Sequence, residues 1–178
     1  MRRGFWHRLQ PVFRYRVVGG LALFAAGVGV GAFLMMPAAA QQSQSTGLRL
    51  NHVGIYTKDF DASMRFYTQT MGLREAFSIK DNDGKPTLTY LQISKDTFLE
   101  LAPATAARPA GLSHIGIWPE NLSATVAALR ARGMKVDDPR TGSTKTSITN
   151  VTDPDGVRLE LLDFLPDSLP RKAMDAWK

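Results

Sequence analysis

Cysteine is absent from all 178 residues, which excludes disulfides, thiolate metal ligands and a thiol nucleophile. Acid is absent from residues 1–40, where five arginines stand: Arg2, Arg3, Arg8, Arg14 and Arg16. Of the 22 Lys and Arg, 17 therefore lie beyond residue 40, against all 16 Asp and Glu. The formal charge of +6 resides almost wholly in that leader. The remainder, at about +1, lacks the one-signed excess that nucleic acid binding requires. What is present is ordinary: 44% hydrophobic and 21% charged residues, enough for one domain with a true core and too apolar for bulk disorder.

The leader has a sequence logic of its own. Basic residues 1–16 precede an uncharged run at 17–36, followed by Pro37-Ala38-Ala39-Ala40. Basic, apolar and small-residue regions in that order describe a bacterial export signal, with Ala38 and Ala40 suiting cleavage. The protein is therefore expected to be exported, to the periplasm, by the general secretory or the twin-arginine route; Arg2-Arg3-Gly4-Phe5-Trp6 is similar to the twin-arginine motif. The run of 20 residues is also long enough to span a bilayer, so an uncleaved inner-membrane anchor through residues 17–36 is the alternative. Residues 41–47 are small and polar and read as a linker; 48–164 form the domain and 165–178 a tail of unassigned role.

Within the domain two phrases recur. His52-Val53-Gly54-Ile55 returns as His114-Ile115-Gly116-Ile117, and Leu99-Glu100-Leu101 returns as Leu159-Glu160-Leu161. Each His leads its Glu by nearly the same distance, the mark of an internal duplication with half-modules at 48–102 and 111–164. Strands are expected at 48–56, 73–80, 87–93 and 97–102, and again at 112–118, 134–138, 146–151 and 157–163. A helix capped by Asp59 or Asp61 runs to Met71, with Met64, Phe66, Tyr67 and Met71 on its apolar face; a second, capped by Asn121, spans 122–132. The order is βαβββ twice.

Strand alternation sets Glu100 and Glu160 opposite their flanking leucines, so each carboxylate faces a concavity. Two carboxylates facing one another away from water repel and lose solvation, and need cations or protons. A divalent ion with two neutral imidazoles and two carboxylates forms a neutral set. His52, Glu100, His114 and Glu160 are thus the candidate metal ligands, with Glu160 and Glu100 also candidate proton carriers. The N/O donors admit Zn, Ni, Co, Mn or Fe without choosing among them.

The His-x-Gly-Ile strands, Phe66-Tyr67 and Met71-Gly72-Leu73 around the end of the first helix, and Asp153-Pro154-Asp155-Gly156 before a Glu-bearing strand together resemble the vicinal oxygen chelate superfamily. This group includes glyoxalase I, methylmalonyl-CoA epimerase, extradiol dioxygenases and bleomycin-resistance proteins. The resemblance implies an α+β fold in which two βαβββ modules pair into a cupped, partly closed mixed sheet around one divalent metal. It implies the same four ligands, a set closest to glyoxalase I, and a metal-dependent lyase or isomerase acting on a small substrate with adjacent oxygens through an enediolate. An extradiol-type dioxygenase and a metal-free small-molecule binding or resistance protein are the alternatives. A homodimer is compatible with it, as is a site built within one chain or between two.

The substrate side departs from glyoxalase I. Tyr56 stands where that enzyme has an Arg that grips glutathione, and Ala104 stands where it has an Asn; Lys145 lies only near an expected Lys. Glutathione dependence is therefore not expected. Tyr56 and Trp118, each four residues after a His, are candidate substrate-lining aromatics, and Asn150 is a candidate hydrogen-bond partner. Gly142-Ser143-Thr144-Lys145-Thr146 lacks the first Gly and the following helix of a phosphate loop, and is expected to be a loop over the site.

Overall fold

A computed structural model describes residues 47–178; the leader and all but the last linker residue lie outside them. The first half contains β1 (Leu48–Thr57), α1 (Phe60–Arg65), a π-helical turn (Phe66–Thr70), β2 (Arg74–Lys80), β3 (Pro86–Gln92) and β4 (Phe98–Pro103). The second contains β5 (Gly111–Pro119), α2 (Leu122–Ala131), β6 (Arg140–Thr141), β7 (Ser147–Thr152) and β8 (Arg158–Asp163). A last helix, α3 (Leu169–Asp175), follows. Among the described residues no helix is long and apolar enough to cross a membrane.

The eight strands form one curled mixed sheet in the order β2-β3-β4-β1-β5-β8-β7-β6. Each half supplies four strands in matching order, and the halves join edge to edge through antiparallel β1 and β5. Within each half the His strand runs parallel to the Glu strand, β1 with β4 and β5 with β8. The duplication thus becomes a pseudo-twofold arrangement inside one chain.

Alternation decides what each sheet face does. On the convex side Leu99 and Leu101 pack with Leu91, Val53, Ile55, Phe60, Met64 and Tyr67 beneath α1. Leu161 and Val151 pack with Leu122, Val126, Val136 and Leu159 beneath α2. Asp59 Oδ1 caps α1 by accepting the Ala62 N–H at 2.8 Å, and Asn121 Oδ1 caps α2 by accepting that of Ala124 at 2.9 Å.

Two local expectations are corrected, and the unassigned tail gains a place. The stretch 134–138 is not a strand. The Val136 carbonyl accepts from the Arg130 guanidinium and the Asp137 carbonyl from Thr149 Oγ1, so side chains take the place of a ladder, and the short strand forms only at β6. On the first helix the π turn, closed by Met71 N–H donating to Phe66 C=O, rotates the chain. Phe66 and Met71 are left 49% and 59% exposed, and only Met64 and Tyr67 serve the core. The tail, finally, has a defined place: Met174 is buried against Tyr90 and Phe98, with Trp118 and Phe164 packed beside them. Gln92 Nε2 donates to the Ala173 carbonyl at 3.4 Å and Leu169 N–H to that of Thr144 at 2.9 Å. This helix plugs one end of the cup and leaves the other open.

Candidate metal centre

The central β1/β5 pair explains the repeated phrase. Its register sets His52 opposite Gly116 and Gly54 opposite His114, so each imidazole lies over the other strand's glycine. A Cβ on Gly116 would stand 2.2 Å from His52 Cε1, and one on Gly54 would stand 2.4 Å from His114 Cε1. Neither glycine has the positive φ that would require its type for backbone reasons. They are glycines because the rings occupy the space.

Each His is preceded by a residue that the partner strand does not oppose. The register skips Asn51 between Leu50 and His52 on β1, and Ser113 between Leu112 and His114 on β5. These bulges turn both polar side chains toward the following ring. Asn51 Oδ1 lies 2.9 Å from His52 Nδ1, and Ser113 Oγ lies 3.0 Å from His114 Nδ1. A polar residue immediately before each His is the sequence signal for this pair.

All four candidate ligands meet in one chain. His52 Nε2 and His114 Nε2 are 2.8 Å apart. Glu100 Oε2 is 3.6 Å from each, and Glu160 Oε1 is 3.7 Å from His52 Nε2 and 4.0 Å from His114 Nε2. The donor atoms of His52, Glu100 and His114 lie within 4.8 Å of one another. Bonds of about 2.0–2.2 Å to a common ion set neighbouring donors roughly 3–3.6 Å apart, so the spacing fits a divalent cation.

Hydrogen-bond direction supports the same conclusion. Asn51 Nδ2 donates to the Asp96 carbonyl at 2.7 Å, which turns Oδ1 toward His52 and makes His52 Nδ1 the donor. His52 Nε2 then presents a bare lone pair to the centre. Arg158 donates through one terminal nitrogen to His114 Nδ1 at 2.8 Å and to Ser113 Oγ at 3.2 Å. Without an ion, the neutral His114 keeps its proton on Nε2 and donates it to His52. Ligation through His114 Nε2 would need that proton on Nδ1, with Ser113 Oγ as its acceptor and the Arg158 N–H turned away from the ring.

Burial holds both rings neutral. It lowers the His52 pKa to about 3, with the neighbouring His114 adding to the effect, and it lowers that of His114 to about 4, assisted by the Arg158 charge. Burial raises the Glu100 pKa to about 7; the Tyr90 hydroxyl opposes the rise and the Glu160 charge adds to it. Glu160 is also raised by burial, against the opposing charges of Arg158 and Arg140. The Tyr90 pKa lies well above its ordinary value because the ring is buried beside Glu100, so its hydroxyl is a donor, bonding Glu100 Oε2 at 2.6 Å.

Glu100 therefore holds a proton below pH ~7, and an ion must displace it. Metal affinity should rise with pH up to ~7 and then level. Uptake at pH 6 should release about one proton per ion from Glu100, falling toward none above pH ~8. Calorimetric titration in buffers of different ionisation enthalpy measures this, and pH-independent affinity between 5 and 8 would contradict it.

The centre opens into a cavity of about 420 Å³ lined by Tyr56, Tyr90, Arg108, Arg140, Ser143 and Arg158 among others. Of the sequence-derived substrate residues, Tyr56 lines it, with the Arg108 guanidinium 5.4 Å above its ring. Trp118 lies elsewhere, edge-on to Phe164 at 4.7 Å with Arg49 3.8 Å from its ring. Asn150 is paired with Glu160 across β7 and β8, and its Oδ1 is buried without a hydrogen-bond partner. The loop at 142–146 contributes Gly142, Ser143 and Thr144 to the wall, while Lys145 turns away to Asp167 at 3.4 Å. Sequence reading missed Tyr90 and Arg158, although Arg158-x-Glu160 alternation puts both side chains on one face.

Comparison with known proteins agrees with this geometry. The chain is 31% identical over 124 residues to a protein named "Probable lactoylglutathione lyase" of Vibrio cholerae, covering 64% of this chain and 89% of that one. It is 30% identical over 132 residues to "Probable lactoylglutathione lyase, chloroplastic" of Arabidopsis thaliana, covering 68% of this chain but only 37% of that protein's length. Among solved structures it is similar to a variant of Streptomyces coelicolor methylmalonyl-CoA epimerase in complex with 2-nitronate-propionyl-CoA. That match has a TM-score of 0.56 at 26% identity over 67% of this chain and 96% of the epimerase. The family model described as "Glyoxalase/Bleomycin resistance protein/Dioxygenase superfamily" matches residues 49–161, a span that holds both His-x-Gly-Ile strands and all four converging side chains, and the chain belongs to that superfamily.

Proposed function

We propose that the protein is a divalent-metal-dependent lyase or isomerase acting on a small substrate with adjacent oxygens, by proton removal α to a carbonyl to give an enediolate. His52, Glu100, His114 and Glu160 would hold the ion. When bound, such an ion polarises the carbonyl and favours the developing oxyanion.

The observation that carries the reading is an asymmetry between the two carboxylates. Both line the cavity, but Glu100 is tethered by the Tyr90 hydroxyl, whereas Glu160 has no hydrogen bond among the described residues. A tethered carboxylate is suited to stay in place as a ligand. An untethered one beside the substrate space, its basicity raised by burial, is suited to take a proton onto Oε1 and return it to the same or the adjacent carbon.

The test combines metal analysis of the purified protein with exchange of substrate α-protons for solvent deuterium across a panel of α-hydroxy and α-keto compounds. Stoichiometric metal with α-proton exchange supports the reading. Oxygen consumption on catechols would reassign the protein to the dioxygenase class, and tight ligand binding without metal to the binding class.

Glutathione hemithioacetals should be poor substrates. Losing one charge-assisted contact costs roughly 1.5–3 kcal/mol, or about ten- to a hundredfold in affinity. Tyr56 and Ala104 remove two such contacts relative to the glyoxalase I pattern. Efficient turnover of methylglyoxal with glutathione would show that the grip is made elsewhere.

We also infer export, from the order of basic, apolar and small residues in the leader. The recovered protein should begin near Gln41 in the periplasmic fraction. Protein retaining Met1 in the cytosol would refute this.

A further inference from the structure

We propose that the substrate carries a carboxylate away from its reacting carbon, and that Arg108, Arg140 and Arg158 form the clamp that holds it. The inference deepens the proposed function and rests on the same cavity.

Among the described residues three guanidiniums line that cavity, and its carboxylates are Glu100 and Glu160. A divalent ion held by the centre offsets both carboxylate charges, which leaves three positive charges facing one small concave space. Among the described residues none of the three arginines has a carboxylate within ion-pair distance. Arg130, Lys145 and Arg171, by contrast, are each paired with an aspartate. Unpaired like charges around a concavity repel one another, and an anion entering the space relieves that repulsion.

Their attachment points suit a clamp. Arg108 comes from the segment between the halves and passes over Tyr56; Arg140 comes from β6 at the sheet edge; Arg158 comes from β8, two residues before Glu160. Arg158 uses one terminal nitrogen on Ser113 and His114, so its other N–H groups remain for a ligand. A planar guanidinium fork matches a carboxylate in a way a lysine does not. None of the three stands at position 56, where the glyoxalase I pattern puts its arginine, and the cavity they line is of metabolite size.

The experiment compares succinate with its neutral isostere succinamide, titrated calorimetrically into the zinc-loaded and the metal-free protein at low ionic strength. Succinate should bind at least about tenfold more tightly than succinamide, and the advantage should shrink as salt is added. Arg140→Gln and Arg108→Gln, both at exposed positions, should each weaken succinate about tenfold while the protein still takes up zinc at the same stoichiometry. Arg158→Lys should keep part of the preference, because it keeps the charge without the fork. Equal binding of the two probes, or unaltered succinate affinity in both glutamine variants, overturns the clamp. If zinc binds while succinate shows no preference, the clamp falls and the metal reading stands. If the protein takes up none of the candidate divalent metals and still prefers succinate, the clamp stands and the metal reading falls.

Discussion

Glu160→Gln should leave a folded protein that still takes up metal in part, yet loses exchange of the substrate's α-proton by ~10²–10⁴-fold. Gln keeps the shape and one oxygen donor but cannot hold a transferred proton at neutral pH. Glu160 Oε1 lies at 3.7 and 4.0 Å from the two Nε2 atoms, the more distant carboxylate of the pair, so the other three donors retain most of the centre. Glu100→Gln should be milder for proton exchange, because that position is tied to Tyr90 and acts as a ligand. Its cost should appear in metal affinity instead. Metal analysis and deuterium exchange on the same samples separate the two cases. Full recovery of Glu160→Gln activity by excess metal would show that Glu160 is a ligand alone, and would leave the metal centre standing.

Gly116→Ala should abolish tight metal binding and destabilise the fold by about 2–3 kcal/mol, near the top of the range for overpacking a well-filled site. The new methyl group would stand 2.2 Å from His52 Cε1 and from Nδ1, a distance at which the ring must move. His52 is 1% exposed and bonded at Nδ1 to Asn51, so it has no open direction in which to swing. Gly54→Ala should behave likewise through His114. The decisive measurement is a double-mutant cycle. His52→Ala vacates the space, so Gly116→Ala should cost ~1–3 kcal/mol less in that background than in the wild type. Additive destabilisation would mean that Gly116 serves the strand backbone rather than the ring.

These two variants sit at opposite ends of what the primary structure reveals. Glu160 is legible because two sequence patterns coincide on it, strand alternation and internal repetition. The glycines were visible as part of the repeated phrase, but their reason was not. It lies in the β1/β5 register, and the offset created by the unopposed Asn51 and Ser113 cannot be read from either strand alone. Trp118 shows the reverse case. Repetition pairs it with Tyr56, but the terminal helix covers one end of the cup and leaves the other open, so equivalent positions meet different surroundings.

Local and repeated information therefore carried the doubled order of elements, the Asn121 cap and the identity of four converging side chains; the resemblance supplied the class of fold, and the choice of Asp59 over Asp61 as the first cap came from the structure. Alternation and capping act over a few residues, and duplication copies a whole module at once. Tertiary structure alone decided that the four meet within a single chain, that Tyr90 tethers one carboxylate and not the other, and that Arg108, Arg140 and Arg158 surround the same cavity. It also gave the tail its place against Tyr90 and Phe98. Those relations join residues ten or more positions apart with no shared period, and they arise from how the curled sheet brings its strands and connections together in space.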